Sequence, residues 1–257
     1  MQLLDKNYIL TNTKEKKYTL EIFESIDSTN TYLRKMSANE YPRFCLAEQQ
    51  TQGQGRFGRS WYSPFGQNIY LSALYLYPKS TDTLAGLSLI IALAVTKTLQ
   101  NYLTPNEIKI KWPNDVIVTN KKIAGIIVES KTITQRLSSI IIGIGLNVNM
   151  TTTSSWTSIY SIGNNHVNRN EVCVTLINFL LEYLKKFTTS GLADFMQEWH
   201  KIDYLLDKKI TINNANISYT GIANGIDEFG RLLIKLPSGI IKPFVSGDTT
   251  IGNENIF

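Results

Sequence analysis

The nine residues Gly53-Gln54-Gly55-Arg56-Phe57-Gly58-Arg59-Ser60-Trp61 hold three glycines, two arginines and a tryptophan. Glycine lets a backbone approach a ligand closely and adopt positive φ. Arginine presents a planar, permanently charged fork that matches carboxylate and phosphate. An indole stacks on a flat heterocycle. The combination reads as a loop folded over an anionic ligand that carries a ring. Its spacing fits G-x-G-x-x-G, but the flanks remove two familiar meanings of that pattern. A dinucleotide fingerprint needs the glycines to open a helix, with an acid about twenty residues on. Here Trp61-Tyr62-Ser63-Pro64-Phe65-Gly66 follows, which is not helical, and the next acid, Asp82, follows a strand. A kinase needs H-R-D and D-F-G elements, and neither occurs.

Four other segments carry candidate chemistry. In Lys111-Trp112-Pro113-Asn114-Asp115 the proline cannot continue a strand ladder, so the chain turns and presents Asn114 and Asp115 at strand ends. Asn114 there can bond a nucleotide, and Asp115 can pair with a lysine or hold Mg²⁺; both can equally cap a turn. Lys122, opening Lys122-Ile123-Ala124-Gly125-Ile126, falls close to Asn114 and Asp115 and reaches either a cleft or solvent. Gly143-Ile144-Gly145-Leu146-Asn147-Val148-Asn149 places glycines in an apolar strand, a mark of close approach by a ligand or another backbone. Ser25-Ile26-Asp27-Ser28-Thr29-Asn30 offers hydroxyls and free N–H groups at a helix start, or simple capping.

The elements that hold these segments follow from periodicity. Strands are expected at 18–24, 44–48 and 68–77, and a helix from Asp27 on, with Tyr32, Leu33 and Met36 on one face. A long apolar helix is expected over 83–102. A meander of strands follows at 108–112, 115–118 and 122–129, turning at Asn120-Lys121. The near-continuous apolar run at 139–148 predicts a central strand. Residues 151–168 read as a polar loop, and 171–187 and 192–205 as amphipathic helices. From Asp207 the pattern becomes short strands separated by turn signals, the mark of a small antiparallel β-barrel on an α/β body.

The 257 residues suffice for a large core, as one large domain or a large and a small one. Composition, 43% hydrophobic and 18% charged, is that of a soluble globular chain. The longest apolar run, near 84–95, is too short and interrupted for a membrane span, and the N-terminus lacks a signal-peptide plan. Cys45 and Cys173 lie in apolar surroundings and are expected as buried free thiols of a cytoplasmic protein. His166 and His200 have no ligand cluster around them, so no zinc site is expected. A net charge of +5 is mild.

Taken together and in order, the segments resemble the biotin protein ligases. That family's pattern is roughly S-T-N, E-Q-x-x-G-R-G-R-x-G-R-x-W, K-W-P-N-D, K-x-A-G-I and I-G-x-G-x-N-x-N. This chain carries Ser28-Thr29-Asn30, Glu48 with Gln49-Gln50, Gly53 to Trp61, Lys111 to Asp115, Lys122 to Ile126, and Ile142 to Asn149. The resemblance implies an α+β fold: a class II aminoacyl-tRNA synthetase-like catalytic domain over residues 1–205, its mixed sheet flanked by helices, and an SH3-like barrel over 206–257. It implies activation of biotin with ATP, accompanied by Mg²⁺, to biotinyl-5′-AMP. The biotinyl group then passes to a lysine of the biotin carboxyl carrier domain of a carboxylase. By the same resemblance Arg56, Lys122 and Asp115 are catalytic. Ser28, Thr29, Asn30, Gln50, Gly53, Gln54 and Gly55, with Arg56 and Lys122, hold biotin. Arg56, Arg59, Trp61, Asn114, Lys122 and Asn147 hold ATP, with Trp61 against the adenine. Asp115 orients the attacking lysine or lies near Mg²⁺; no fixed metal site is implied.

Two departures bear on this. Gln54 stands where the pattern has its first arginine, a loss of charge that predicts weaker retention of the adenylate. The residues before Ser28 are too few for the winged helix-turn-helix of bifunctional members, which predicts no operator binding. A monomer or a homodimer paired through the catalytic sheet fits the family. A lipoate or octanoate ligase of the same superfamily, or a non-enzymatic RNA-binding protein using the glycine–arginine loop, are the rival readings.

Overall fold

The computed structural model describes residues 2–151, 156–214 and 217–252. In chain order the elements are α1 (Lys6–Asn12), β1 (Thr19–Ile26), α2 (Thr29–Arg34), β2 (Arg43–Gln50), β3 (Ile69–Tyr77), α3 (Leu87–Leu99), β4 (Ile108–Lys111), β5 (Asp115–Val118), β6 (Lys121–Thr134) and β7 (Leu137–Leu146). There follow α4 (Ile159–Gly163), α5 (Arg169–Ser190), α6 (Met196–Ile202), β8 (Lys209–Asn214), β9 (Ile217–Ile226), β10 (Leu232–Lys235), β11 (Ile241–Phe244) and β12 (Asp248–Ile251).

Seven strands form one mixed sheet in the order β1-β2-β3-β7-β6-β5-β4. Only β1 and β2 run parallel; every other pair is antiparallel. The apolar run 139–148 lies at the centre, as β7 between β3 and β6. Side chains alternate across the sheet, and the two faces carry different work. Phe44, Leu46, Leu71, Ile142 and Ile144 join the main core with α3 and α5. The opposite face carries Cys45, Leu74 and Ile141 under Leu33 of α2, a second and smaller core. Ser72, Gly125, Gly143 and Gly145 line a cavity on the sheet beside it.

Local sequence explains the helix ends. Ser28 is the N-cap of α2, its hydroxyl accepting from the Thr31 amide. The helix expected over 83–102 is shorter, because Gly86 is left-handed (φ 79°) and separates a 3₁₀ turn at 81–84 from α3. The helix expected at 192–205 is likewise divided, into a 3₁₀ turn at 193–195 and the short α6. Within the polar stretch 151–168 lies α4, capped by Ser158; residues 152–155 of that stretch lie outside the described residues. The hairpin of β5 and β6 turns at Thr119 and Asn120, both left-handed (φ 49° and 64°). The helix α1 was not expected; Asp5 caps it and Ile9 is its buried residue.

The C-terminal strands form a five-stranded antiparallel sheet, β11-β10-β9-β8-β12. Among the described residues no pairing of β11 with β12 closes it into a ring. It docks on the body built around the seven-stranded sheet through the Trp112 indole, which donates to the Gly230 carbonyl at 3.0 Å. A Cβ on Gly230 would stand 2.8 Å from the Gly86 Cα, so the two backbones meet without a side chain between them.

Candidate active site

The site stands on a patch of sheet without side chains. Gly125 of β6 and Gly145 of β7 are direct partners in register. The Trp61 indole lies over both: a Cβ on Gly145 would fall 2.3 Å from it, and one on Gly125 would fall 2.9 Å from it. The Lys122 stem crosses the same bare patch, 3.0 Å from a Gly125 Cβ, with its ammonium 5.2 Å from the Trp61 ring centre. The close approach expected at the glycines of β7 is made by a side chain, the Trp61 indole, rather than by a ligand or another backbone, and Gly125 of β6 shares it.

A bulge aims Lys122. Asp115 pairs with Gly125 and Val116 with Ala124, but Ile117 pairs with Lys122, so β6 carries one extra residue there. Lys122 Nζ then stands 2.7 Å from Asp115 Oδ1. Pro113, following a cis peptide, separates β4 from β5, as expected. Asn114 accepts from Arg56 Nη1 at 3.0 Å and donates to the Ile126 carbonyl at 2.7 Å. The expected nearness of Lys122, Asp115 and Asn114 holds, and Arg56 joins them. Burial pulls the Arg56 pKa below its usual value, opposed by the charges of Asp248 and Asp115. Burial does the same to Lys111.

The glycine segment is a narrow hairpin. Gln54 bridges Ser60, the Gly55 amide donates to the Arg59 carbonyl at 2.6 Å, and the Trp61 amide donates to the Gly53 carbonyl at 2.9 Å. A Cβ on Gly53 would meet the Trp61 carbonyl at 2.5 Å, so this glycine lets the hairpin's two limbs approach one another. Positive φ is needed further on, at Phe57 (56°) and Gly58 (72°), where the tip turns. Arg59 faces away from the cavity and forms an ion pair with Asp248 of β12, tying the hairpin to the C-terminal sheet.

At the other end, Thr29 donates through its amide and hydroxyl to Gln50 Oε1 at 2.9 and 3.0 Å. Gln50 Nε2 donates to Ser63 at 3.2 Å. Ser72 contacts Thr29 Oγ1 at 2.7 Å and Asn30 Oδ1 at 2.5 Å. Ser28, Thr29, Asn30, Gln50, Gln54, Gly55, Arg56, Trp61, Asn114 and Lys122 all line one cavity. With the indole in place it measures about 50 Å³, well below the roughly 300–1,000 Å³ of a ligand pocket. The indole therefore sets the room a ligand has.

Asn147, Gly53 and Asp115 do not line this cavity, Asp115 meeting it only through Lys122. Asn147 is buried and donates to the Thr157 carbonyl at 3.0 Å, pinning the chain after β7. Sequence reasoning missed Ser72, Arg34, Glu129 and Trp156. Ser72 had a signal, a lone hydroxyl in the apolar run Leu71-Ser72-Ala73-Leu74. Trp156, stacked on Tyr62 beside the site, had only its aromaticity.

A mixed sheet whose bare glycine face is roofed by an arginine–tryptophan hairpin, with hydroxyls, amides and two cations lining one cavity, defines a binding fold for a polar, anionic ligand. Residues 22–147 match the biotin/lipoate A/B protein ligase family, and residues 205–249 match the biotin protein ligase C-terminal domain. The bifunctional ligase/repressor BirA of Escherichia coli is 33% identical, over 91% of this chain and 74% of its own length. The biotin–[acetyl-CoA-carboxylase] ligase of Paracoccus denitrificans is 28% identical, over 83% of this chain and 92% of its own. The biotin protein ligase of Aquifex aeolicus, solved with biotin and ATP, superposes with a TM-score of 0.80 at 28% identity, covering 91% of this chain and 99% of that one. The chain belongs to the biotin protein ligase family.

Proposed function

We propose that this chain activates biotin with ATP and attaches it to a lysine of a biotin carboxyl carrier domain. The observation that carries this reading is that one cavity is lined both by the hydroxyl and amide groups of Ser28, Thr29 and Gln50 and by the cations Arg56 and Lys122. Ser28, Thr29 and Gln50 suit the ureido ring, whose N–H and C=O groups need partners when buried. The valeryl chain leads from there toward the cations, with the Trp61 indole as one wall of its path.

In the first step a biotin carboxylate oxygen attacks the α-phosphorus, and the bond from that phosphorus to pyrophosphate breaks. Two anions must meet, and Arg56 and Lys122 neutralise the charge that gathers between them. In the second step the carrier's neutral amine attacks the acyl carbon, AMP leaves, and the amine loses its proton. Asp115, released from Lys122 when that lysine turns to phosphate, orients the amine. Mg²⁺ would enter with the triphosphate, and Asp115 is the carboxylate the site offers it. Asn114 acts from the nucleotide side, while Arg59 and Asn147 hold the hairpin and the chain after β7 in place. The hairpin shields the anhydride from water.

The division into residues 1–205 and 206–257, the cytoplasmic location, and a monomer or sheet-paired homodimer belong to the same proposal. The match of residues 205–249 to the biotin ligase C-terminal domain favours biotin over lipoate. The test is transfer of biotin to a carboxylase carrier domain by wild type and Lys122→Ala. Loss of one positioned cation lowers the rate by about 10²–10³-fold. Undiminished transfer in the variant removes Lys122 from the chemistry; absence of biotin-dependent ATP–pyrophosphate exchange in the wild type ends the ligase reading.

A further inference from the structure

The hairpin is held at its base by a cation that lies outside it. Gln54 is the residue at which its two limbs begin to pair, through the bridge to Ser60. The Gln54 side-chain oxygen accepts from Arg34 Nη2 at 2.8 Å. Arg34 is the last residue of α2. Its guanidinium forks onto Glu129 of β6, with Nε 2.6 Å from Oε2 and Nη2 2.7 Å from Oε1. Planar, two-pronged pairing of this kind fixes the guanidinium in direction as well as position. The second proton of Nη2 is thereby left aimed at Gln54.

Glu129 is not an isolated anchor. It also accepts from Asn30 Nδ2 at 2.9 Å. Asn30 reaches Ser72, and Ser72 reaches Thr29, at the polar end of the cavity. Gly143 makes room for this path, since a Cβ there would fall 2.4 Å from Asn30 Oδ1. A run of hydrogen bonds thus connects Gln54 at the hairpin base to Ser72, which touches Thr29 on the cavity floor.

We propose that Arg34 is a positioning residue for the hairpin: through Gln54 it holds the roof in register with the floor. This deepens the ligase reading and rests on it for the meaning of roof and floor. The charge absent at position 54 is supplied from α2. One carboxylate, Glu129, serves one guanidinium. An arginine at 54 brings a second guanidinium against the same carboxylate and repels Arg34. With Arg34 removed, an arginine at 54 can take the vacated place on Glu129.

The test is a swap in the full chain. Biotinyl-5′-AMP is formed in place and its release is followed during a chase with unlabelled biotin and ATP. Arg34→Leu, which removes the hydrogen bond to Gln54 together with the fork on Glu129, speeds release about tenfold. Gln54→Arg speeds it comparably, and the double variant returns to within about threefold of wild type. Amide hydrogen exchange of residues 53–61 in the ligand-free protein gives a second readout that needs no chemistry: faster in each single variant, restored in the double. Singles whose effects multiply in the double overturn the proposal, as does hairpin exchange unchanged by Arg34→Leu. If wild type forms no adenylate, the ligase reading falls while the exchange measurement still decides the role of Arg34.

Discussion

The Trp61 indole occupies the space that a side chain at position 145 would fill, with a Cβ there 2.3 Å away. Ordinary packed carbons stand about 3.5–4.0 Å apart. The roof of the site and the bare strand beneath it are therefore one fitted pair, and the hairpin cannot settle on a sheet that carries side chains there.

Gly145→Ala is expected to lift the indole and loosen the hairpin. The KM for biotin rises at least about tenfold, because the wall that orients the ligand is displaced. Unfolding free energy moves by less than about 1.5 kcal/mol, since the displaced group belongs to a surface hairpin. Steady-state kinetics with urea denaturation checks both halves; an unchanged KM would show that the contact is idle.

Arg169 and Glu48 form a buried ion pair, Nη1 to Oε2 at 2.7 Å, with both side chains almost wholly enclosed. Arg169 also donates to the Asn68 and Gln2 carbonyls, and Glu48 accepts from the Leu4 amide. Removing one partner strands the other charge, which costs about 3–5 kcal/mol. Arg169→Met is expected to lose that much in urea denaturation. A loss below about 1 kcal/mol would mean that the pair adds little. Glu48, which opens the E-Q segment of the family pattern, is by this geometry a structural residue.

Glu129 provides a pH test. Hydrogen bonds from Arg34, and then from Asn30, hold its carboxyl below the usual carboxylate range, against the opposing effect of burial. A folded pKa below the unfolded one means that the charged form contributes stability above the unfolded value. That contribution is complete at neutral pH and fades as pH falls through the depressed folded value. Wild type is therefore expected to exceed Glu129→Gln in stability at pH 7, with the gap narrowing below about pH 4. Urea titrations at successive pH values measure the gap; one that stays constant into acid contradicts the assignment.

Much of the site was readable because its residues occur in contiguous segments. The turn at Pro113, the lysine opening β6 and the paired glycines of β6 and β7 are local features with local causes. The central place of β7 was legible from its unbroken apolar run, since a strand covered on both faces needs no polar alternation. The length of α3 was not, because Gly86 interrupts an apolar pattern that otherwise continues through it.

By itself the sequence determined the class of chemistry: which cations, hydroxyls and glycines the chain has, and in what order. Tertiary structure alone decided how they meet. Arg34, Ser72 and Glu129 are ordinary polar residues with no periodic signature, and Arg34 and Glu129 lie 95 residues apart. They meet because the strand order β2-β3-β7-β6 brings these segments onto one face beneath α2. The same order decides that Trp61 rests on Gly125 and Gly145 and that Gln54 finds its cation on α2. Hydrogen-bond geometry across a sheet depends on register and facing, and neither is written in the identity of a single residue.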